Sequence, residues 1–236
     1  MVILAYILFF LGEISALGAV LGLAYLHKQH TPPLRVLLAY FVACVVAGIW
    51  KFVVLFGHQP TLWILNLFLV AEIVLVMLYC YYTAHQKRAK QVFFGLAFLL
   101  GLLSVVMYQS DKVSDASWIN AVAIIAGTFY LFYETLEYSE QQYLTRTPHY
   151  WFLTAFLLYF TGSFFIFLHN RYVFVNGNSP SFYLEGFRYF LLVGRNALFC
   201  VGIWHVQPSL PLRYYLLGGW VLAALYAVFQ YVVMFG

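Results

Sequence analysis

The sequence predicts an all-α protein, a polytopic bundle of eight transmembrane helices. Hydrophobic residues make up 64% of the 236 residues and charged residues only 8%, a balance typical of chains that use lipid as their solvent. The apolar residues also fall into eight stretches near the ~20 residues that a helix needs to cross a bilayer. These stretches lack the alternation of polar and apolar residues that barrel strands show. Since backbone groups in lipid must pair within their own segment, the spans are predicted to be helical.

Turn-forming residues mark the ends of the predicted spans. The spans are residues 3–26, 36–56, 62–82, 92–108, 118–138, 150–169, 186–206 and 214–235. Pro32 and Pro33 are assigned to the first loop, and Pro208 and Pro211 to the last. The longest loop is predicted from Asn170 to about Glu185. Because no loop is long enough to fold by itself, residues 1–236 are predicted to form a single transmembrane domain.

Lys and Arg predict the orientation, since they are concentrated in cytoplasmic loops. With the N-terminus outside, the inner side carries Lys28, Arg35, Lys87, Arg88, Lys90, Arg146 and Arg213. The outer loops carry Lys112 and Arg171, with Arg188 at the outer mouth of span seven. An even number of spans then places the C-terminus outside as well. The net charge of +4 reflects this bias and indicates apposition to the anionic headgroups of the lipid bilayer, so no nucleic acid is expected as a partner.

No metal or cofactor is predicted. Cys44, Cys80 and Cys200 lie within or at the ends of spans and are interpreted as small apolar side chains. The seven histidines lie at span ends or in loops, where histidines are common without a metal, and no HExxH motif is present. A GxSxG nucleophile motif is absent too, so the sequence does not favour an enzyme.

Ionisable residues within spans are costly and tend to mark function. At a rise of about 1.5 Å per residue, Glu13 and Glu72 come about 15 Å below the outer boundary, and Arg195 about 13–14 Å below it. Lys51 lies at about 7–8 Å and Asn66 at about 6 Å on the same scale.

Arg188 and Arg195 are seven residues apart in the sequence and so share a helix face. Together with Glu13, Lys51, Asn66 and Glu72 they are predicted to line a polar funnel that opens outward and binds a ligand. A structural ion pair that locks the bundle is the alternative. We also predict that the Glu72 carboxylate lies within direct or water-bridged reach of Arg195, because opposite charges at equal depth lower the cost of burial.

Three stretches carry a resemblance to a known group. They are Asn66 and Glu72 followed by Tyr79–Tyr82, the segment Phe129–Glu134, and the segment Trp151–Phe167. Over residues 60–206 the chain resembles uncharacterised multi-span modules of Gram-negative bacteria that stand alone or precede sensor histidine kinases. The resemblance implies a seven-span sensory core with an outside N-terminus in a bacterial inner membrane. No kinase follows here and an eighth span is present, so an output would require a separate partner.

Three functions follow from these observations. The first is a sensor or receptor-like module that binds a small polar or lipid ligand in the funnel and signals through a membrane or cytoplasmic partner. The second is a proton-coupled transporter in which Glu13 and Glu72 alternate protonation. The third is a structural or assembly subunit of a larger membrane complex, which fits the small size and the lack of a catalytic motif.

Overall fold

The computed structural model describes residues 11–12, 14–26, 28, 31–56, 62–107, 116–138, 144–175 and 182–235. Over these residues the protein is all-α, as predicted, with no strand. The helices are α1 (Leu17–Tyr25), α2 (Pro32–Phe56), α3 (Leu62–Thr83), α4 (Lys87–Val106), α5 (Ala116–Tyr138), α6 (Pro148–Val175), α7 (Phe182–Val206) and α8 (Leu210–Phe235). A 3₁₀ turn, Leu144–Arg146, precedes α6.

Helices α2 to α8 are each long and apolar enough to cross a membrane, seven candidate spans among the described residues. They correspond to the seven predicted spans that follow the first. Many of their large apolar side chains are exposed, such as Phe98 on α4 and Leu225 on α8, because the surrounding solvent is lipid. The protein is therefore a multi-pass integral membrane protein. The predicted span 3–26 lies partly outside the described residues, which contain α1 from Leu17 to Tyr25.

Several helices begin earlier than predicted, because prolines thought to lie in loops open them. Pro32 and Pro33 form the start of α2, and Pro211 lies in the first turn of α8. A proline at the first turn lacks only an N–H that the helix leaves unpaired anyway, and its fixed φ suits the helix. Assigning these prolines to loops was wrong.

Several cations that were predicted to lie in loops lie in helices instead. Lys87, Arg88 and Lys90 belong to the first turn of α4 rather than to a loop. In the long connection before α7, helix α6 continues to Val175, so Asn170 and Arg171 are helical and not the start of the predicted loop. Helix α7 begins at Phe182, which shortens that connection further.

The chain divides into two compact units. The continuous unit is residues 28–142 and contains α2 to α5. Helix α3 is its centre, since it contacts α2, α4 and α5. Its apolar core includes Ile73, Met77 and Phe93.

The discontinuous unit joins residues 1–27 to residues 143–236 and contains α1, α6, α7 and α8. Helix α7 contacts α1, α6 and α8. Its core is aromatic where α6 meets α7: the ring of Phe199 stacks on Phe152 at 5.6 Å and meets the edge of Phe156 at 4.9 Å.

Small residues allow close helix contacts in the discontinuous unit. A Cβ at Gly219 of α8 would fall 2.6 Å from the backbone nitrogen of Gly18 on α1. A Cβ at Gly22 would meet Leu216, and one at Gly162 would meet Leu191. Glycine at these positions therefore lets the helices approach closely.

Candidate functional site

The continuous unit buries a carboxylate on its central helix. Glu72 of α3 is 5% exposed, and the hydroxyl of Tyr40 on α2 donates a hydrogen bond of 3.0 Å to Glu72 Oε1. Tyr40 is itself buried. A hydrogen bond to a charged acceptor is stronger than one between neutral groups, so this contact ties α2 to α3.

Two further predicted site residues belong to this unit. Asn66 is buried on α3, 2% exposed, and lies six residues before Glu72. Lys51 is in α2, as the sequence predicts, but its side chain lies outside the part of the chain that is described. The burial of Asn66 shows that polar groups of α3 are held inside the unit rather than turned toward lipid.

A second buried carboxylate holds the turn between α3 and α4. Glu134 of α5 is 1% exposed. Its Oε2 accepts a 3.0 Å hydrogen bond from the backbone N–H of His85, and its Oε1 accepts one of 3.0 Å from the N–H of Gln86. Gln86 is the N-cap of α4, and its own side chain makes no capping bond. The carboxylate therefore caps α4 from another helix, where the helix dipole favours negative charge. We call this arrangement the Glu134 clasp.

The electrostatic setting explains why the clasp needs a charge. The first turn of α4 contains no acidic residue and instead holds Lys87, Arg88 and Lys90, cations at the positive end of the helix dipole. Glu134 supplies the opposite charge from the buried side. The imidazole Nδ1 of His85 lies 3.7 Å from Glu134 Oε2, with the His85 side chain 63% exposed.

The discontinuous unit buries a guanidinium on its central helix. Arg195 of α7 is 1% exposed, and so is Asn196 beside it. Arg195 Nε donates to Asn196 Oδ1 at 3.1 Å, and the guanidinium carbon lies 4.6 Å from the ring centroid of Tyr159 on α6. This geometry is a cation–π contact, which is stronger when water is excluded.

Asn196 extends this network to α1. Its Nδ2 donates to Ser15 Oγ at 2.7 Å, and Ser15 Oγ donates to the carbonyl oxygen of Gly12 at 3.0 Å. Arg195, Asn196, Ser15 and Tyr159, the Arg195 network from here on, thus connect α7 with α6 and with the chain segment before α1. A buried guanidinium in this setting can bind an anionic group bidentately.

Arg188 lies seven residues, or about two turns, before Arg195 on α7. It is partly buried, and its Nη2 donates to the Tyr189 hydroxyl at 3.2 Å. Its guanidinium carbon is 5.1 Å from the centroid of the Tyr189 ring. The predicted sharing of a helix face with Arg195 follows from the seven-residue spacing in one continuous helix.

The six predicted ligand-binding residues therefore divide between the two units. Asn66 and Glu72 lie buried in the continuous unit, and Arg188 and Arg195 lie in the discontinuous unit. Glu13 lies outside the described residues. The predicted reach between Glu72 and Arg195 joins residues of different units and stays a prediction.

Sequence reasoning missed three polar features. Glu134 was given no role, Tyr40 was not considered, and Asn196 was overlooked. Asn196 carried a usable signal, since it directly follows a charged residue within a span. Tyr40 carried none, because a chain with 20 tyrosines gives no reason to select one.

A fourth missed feature is a buried pair in the continuous unit, where Asn120 Nδ2 of α5 donates to Ser104 Oγ of α4 at 2.9 Å. The cysteines agree with their interpretation as packing residues: Cys44, Cys80 and Cys200 are buried and form no disulfide. Within the described ranges, no group of three His, Cys, Asp or Glu residues could hold a metal ion.

Comparison of the chain with protein-family models, with curated proteins and with solved structures gave no match. The buried side chains of Glu72, Glu134 and Arg195 and their partners are thus the basis for any functional assignment.

Proposed function

We propose that the protein is a polytopic membrane sensor or receptor-like module that binds a small polar or lipid ligand in an outward-facing intramembrane pocket. The observation that carries the proposal is the Arg195 network. A guanidinium buried at this level in a span is expensive, and here it lies on the helix that contacts α1, α6 and α8. A ligand that interacts with Arg195 would therefore act on the whole unit.

The signal would be a change in helix arrangement. A ligand shifts such an equilibrium only if it binds one arrangement more tightly than the other. Arg195 contacts the α6 ring of Tyr159, while Asn196 reaches Ser15. Drawing the guanidinium toward a ligand would loosen both connections, and a membrane or cytoplasmic partner would sense the displaced helix.

Arg195→Lys and Arg195→Ala, compared with wild type, test this function. Thermal stability in mild detergent is measured with inorganic phosphate, with succinate and with short-chain phospholipids as probes. Wild type should be stabilised by at least one probe, as mass action requires. Arg195→Lys should lose most of that shift, because a compact ammonium cannot bind bidentately. Arg146→Lys, at an exposed position in the 3₁₀ turn, is the matched control and should keep it. Equal probe-dependent shifts in wild type and both Arg195 variants would exclude this site.

A proton-coupled transporter is the second candidate, and the Tyr40–Glu72 hydrogen bond favours it. A buried carboxylate beside a hydroxyl donor is a plausible place for a proton to bind and leave during a transport cycle. In this function Glu72 would alternate between protonation states while α2 and α3 shift.

Proteoliposomes with an imposed pH gradient distinguish this candidate from the sensor. Transport would appear as substrate flux that collapses when the gradient is removed. Glu72→Gln should abolish that flux, Tyr40→Phe should reduce it, and Glu137→Gln, an exposed glutamate on α5, should leave it unchanged. An absence of gradient-dependent flux for amino acids, sugars and organic anions removes the transporter.

The proposed setting is a bacterial inner membrane with the N-terminus outside. The starts of α2, α4 and α8, and the turn before α6, carry the cations Arg35, Lys87, Arg88, Lys90, Arg146 and Arg213. If successive helices cross in alternating directions, these starts share one side, which the charge bias makes cytoplasmic. A C-terminal alkaline phosphatase fusion should then be active, whereas a C-terminal green fluorescent protein fusion should stay dark.

A further inference from the structure

The first turn of α4 is a cationic surface at the edge of a lipid-facing helix. Lys87 and Arg88 are exposed, and Lys90 is partly so. The backbone amides of His85 and Gln86 are already bound by Glu134. These two amides are therefore not available to a ligand, which would meet the three side-chain cations at this surface.

Further along α4, exposed apolar side chains lie on the same helix faces as Lys87 and Arg88. Four residues after Arg88 comes Val92, and seven residues after Lys87 comes Phe94, which are 58% and 59% exposed. Phe98 and Leu99 extend the two faces by another turn and are also exposed. Residues four and seven apart lie on one face of a helix, and the rise of about 1.5 Å per residue places Val92 only about 6 Å from Arg88 along the axis.

The position of the cations next to exposed apolar residues identifies the partner of this surface. The exposed apolar residues must be covered by hydrocarbon, so the cations at the start of the same faces lie at the level of the headgroups. We infer that Lys87, Arg88 and Lys90 bind the phosphate of an anionic phospholipid whose acyl chains cover the two exposed faces of α4, one with Val92 and Leu99 and the other with Phe94 and Phe98. A soluble acidic protein would pair with the cations alone and would leave the exposed apolar faces of α4 uncovered.

The Glu134 clasp positions this surface. Its two hydrogen bonds fix the turn from which α4 starts, and hence the direction of the first-turn side chains. Glu134 acts through the backbone and is a positioning residue, since it is buried and does not face the lipid. Glu137, one turn later on α5, is exposed and makes a charge-matched comparison.

The experiment is lipid titration of the full-length protein in detergent, followed by native mass spectrometry. The probes are dioleoylphosphatidylglycerol, dioleoylphosphatidylcholine with identical chains, and glycerol 3-phosphate, which carries an anionic phosphate without chains. The anionic lipid should bind at least tenfold more tightly than the zwitterionic one. Glycerol 3-phosphate should not compete at millimolar concentration, because the chains supply part of the binding.

Two pairs of variants isolate the surface. Lys87→Gln with Arg88→Gln should weaken binding of the anionic lipid by roughly twentyfold, at about fivefold per cation. Arg146→Gln with Arg213→Gln removes the same charge from exposed positions of the other unit and should change it by less than about threefold. Glu134→Gln should weaken binding severalfold, whereas Glu137→Gln should leave it equal or slightly stronger.

The inference is overturned if the two double variants lose affinity equally, since net charge alone would then explain the preference. It is also overturned if the two lipids bind alike, or if glycerol 3-phosphate competes as well as the lipid. Equal effects of Glu134→Gln and Glu137→Gln would remove the positioning role of the clasp. Thermal melting of each variant shows whether it is folded, and the exposed positions of Lys87 and Arg88 give every reason to expect that it is.

Discussion

The two units use the same plan with opposite charges. Each has a central helix that contacts the other three helices of its unit. In the continuous unit that helix is α3 with the buried carboxylate of Glu72, and in the discontinuous unit it is α7 with the buried guanidinium of Arg195. Both charges are held by neutral polar or aromatic partners, Tyr40 in one case and Asn196 with Tyr159 in the other.

The units differ in how their helices are held together. In the continuous unit the helices follow one another in sequence, and polar side chains such as Glu134 fix the connections. In the discontinuous unit α1 and α8 come from opposite ends of the described chain and have no short connection. Their association depends on backbone approach at Gly18 and Gly219. Direct backbone contact between helices therefore takes the place of a short connecting loop when helices that are far apart in the sequence associate in lipid.

The largest expected effect breaks that backbone contact. Gly219→Ala places a Cβ against the backbone of Gly18, and a backbone cannot rotate away as a side chain can. Overpacking typically costs 1–3 kcal/mol, and about 3 kcal/mol is expected here. The free energy of unfolding, measured by SDS titration in mixed micelles, should fall by that amount.

Two alanine variants are controls for this change. At Gly218 a Cβ would meet nothing within 4 Å, so Gly218→Ala should be neutral or slightly stabilising through helix propensity. In the continuous unit, a Cβ at Gly101 would meet only the Val74 side chain, at 2.8 Å, and Gly101→Ala should cost less than half as much as Gly219→Ala. A Gly219→Ala protein as stable as Gly218→Ala would contradict the backbone explanation.

The sequence predicts the helices of this protein better than it predicts the hydrogen-bond partners of the buried charged side chains. Span length and hydropathy locate α2 to α8, because lipid demands long apolar helices whatever they pack against. Helix starts at Pro32 and Lys87 were missed, because prolines and cations also occur in loops. Glu72 and Arg195 could be selected as buried charges from the cost of placing them in lipid.

The partners of Glu72 and Arg195 could not be selected from the sequence in the same way. Tyr40 donates to Glu72 across two helices, and this pairing depends on the rotation of α2 and α3 about their axes. Depth in the membrane alone would also have allowed several other tyrosines in the spans to pair with Glu72. Asn196 and Ser15 meet across α7 and the segment before α1, which requires knowing that the first and seventh helices are neighbours.

The second largest effect concerns the clasp. Glu134→Ala removes two hydrogen bonds to a charged acceptor and leaves two amides of the α3–α4 turn without it. A hydrogen bond to a charged group contributes about 1.5–3 kcal/mol, but His85 and Gln86 are exposed, so water replaces the carboxylate at both amides and recovers part of this energy. A net loss of about 2 kcal/mol in the free energy of unfolding is expected. Glu137→Ala on the same helix is exposed and should change stability by less than about 0.5 kcal/mol. Comparable losses for both variants would show that the effect is one of overall charge and not of the clasp.

A smaller effect compares the two charge networks. Tyr40→Phe deletes a hydrogen bond to a carboxylate. Ser15→Ala deletes one accepted from the neutral Asn196 amide, together with a local bond to the Gly12 carbonyl oxygen. Hydrogen bonds within membrane bundles average about 0.6 kcal/mol and reach about 1.7 kcal/mol. Tyr40→Phe should therefore cost about 1.5 kcal/mol and Ser15→Ala about 0.6 kcal/mol, both read from SDS titration. A larger cost for Ser15→Ala than for Tyr40→Phe would mean that the Arg195 network, and not Glu72, is the more tightly held of the two.

The smallest predicted effect is a gain in the free energy of unfolding, whereas the substitutions at Gly219, Glu134, Tyr40 and Ser15 are predicted to lower it. Ser163 of α6 is fully buried, and its hydroxyl has no hydrogen-bond partner among the described residues. It lies four residues after Tyr159, on the same helix face. A buried hydroxyl without a partner is unfavourable, so Ser163→Ala should leave the protein equally stable or more stable by up to about 1 kcal/mol.

Ser104 in the continuous unit is the matched comparison, because its hydroxyl accepts from Asn120. Ser104→Ala should destabilise the protein by about 0.6–1.7 kcal/mol, the range for such bonds in membrane bundles. The difference in sign between two buried serines tests the hydrogen-bond assignment directly, since side-chain volume changes equally in both. If Ser163→Ala instead costs more than about 1 kcal/mol, its hydroxyl is bound to another group beside Tyr159. That result would extend the Arg195 network by one turn of α6 and make Ser163 the next position to vary in the probe titrations.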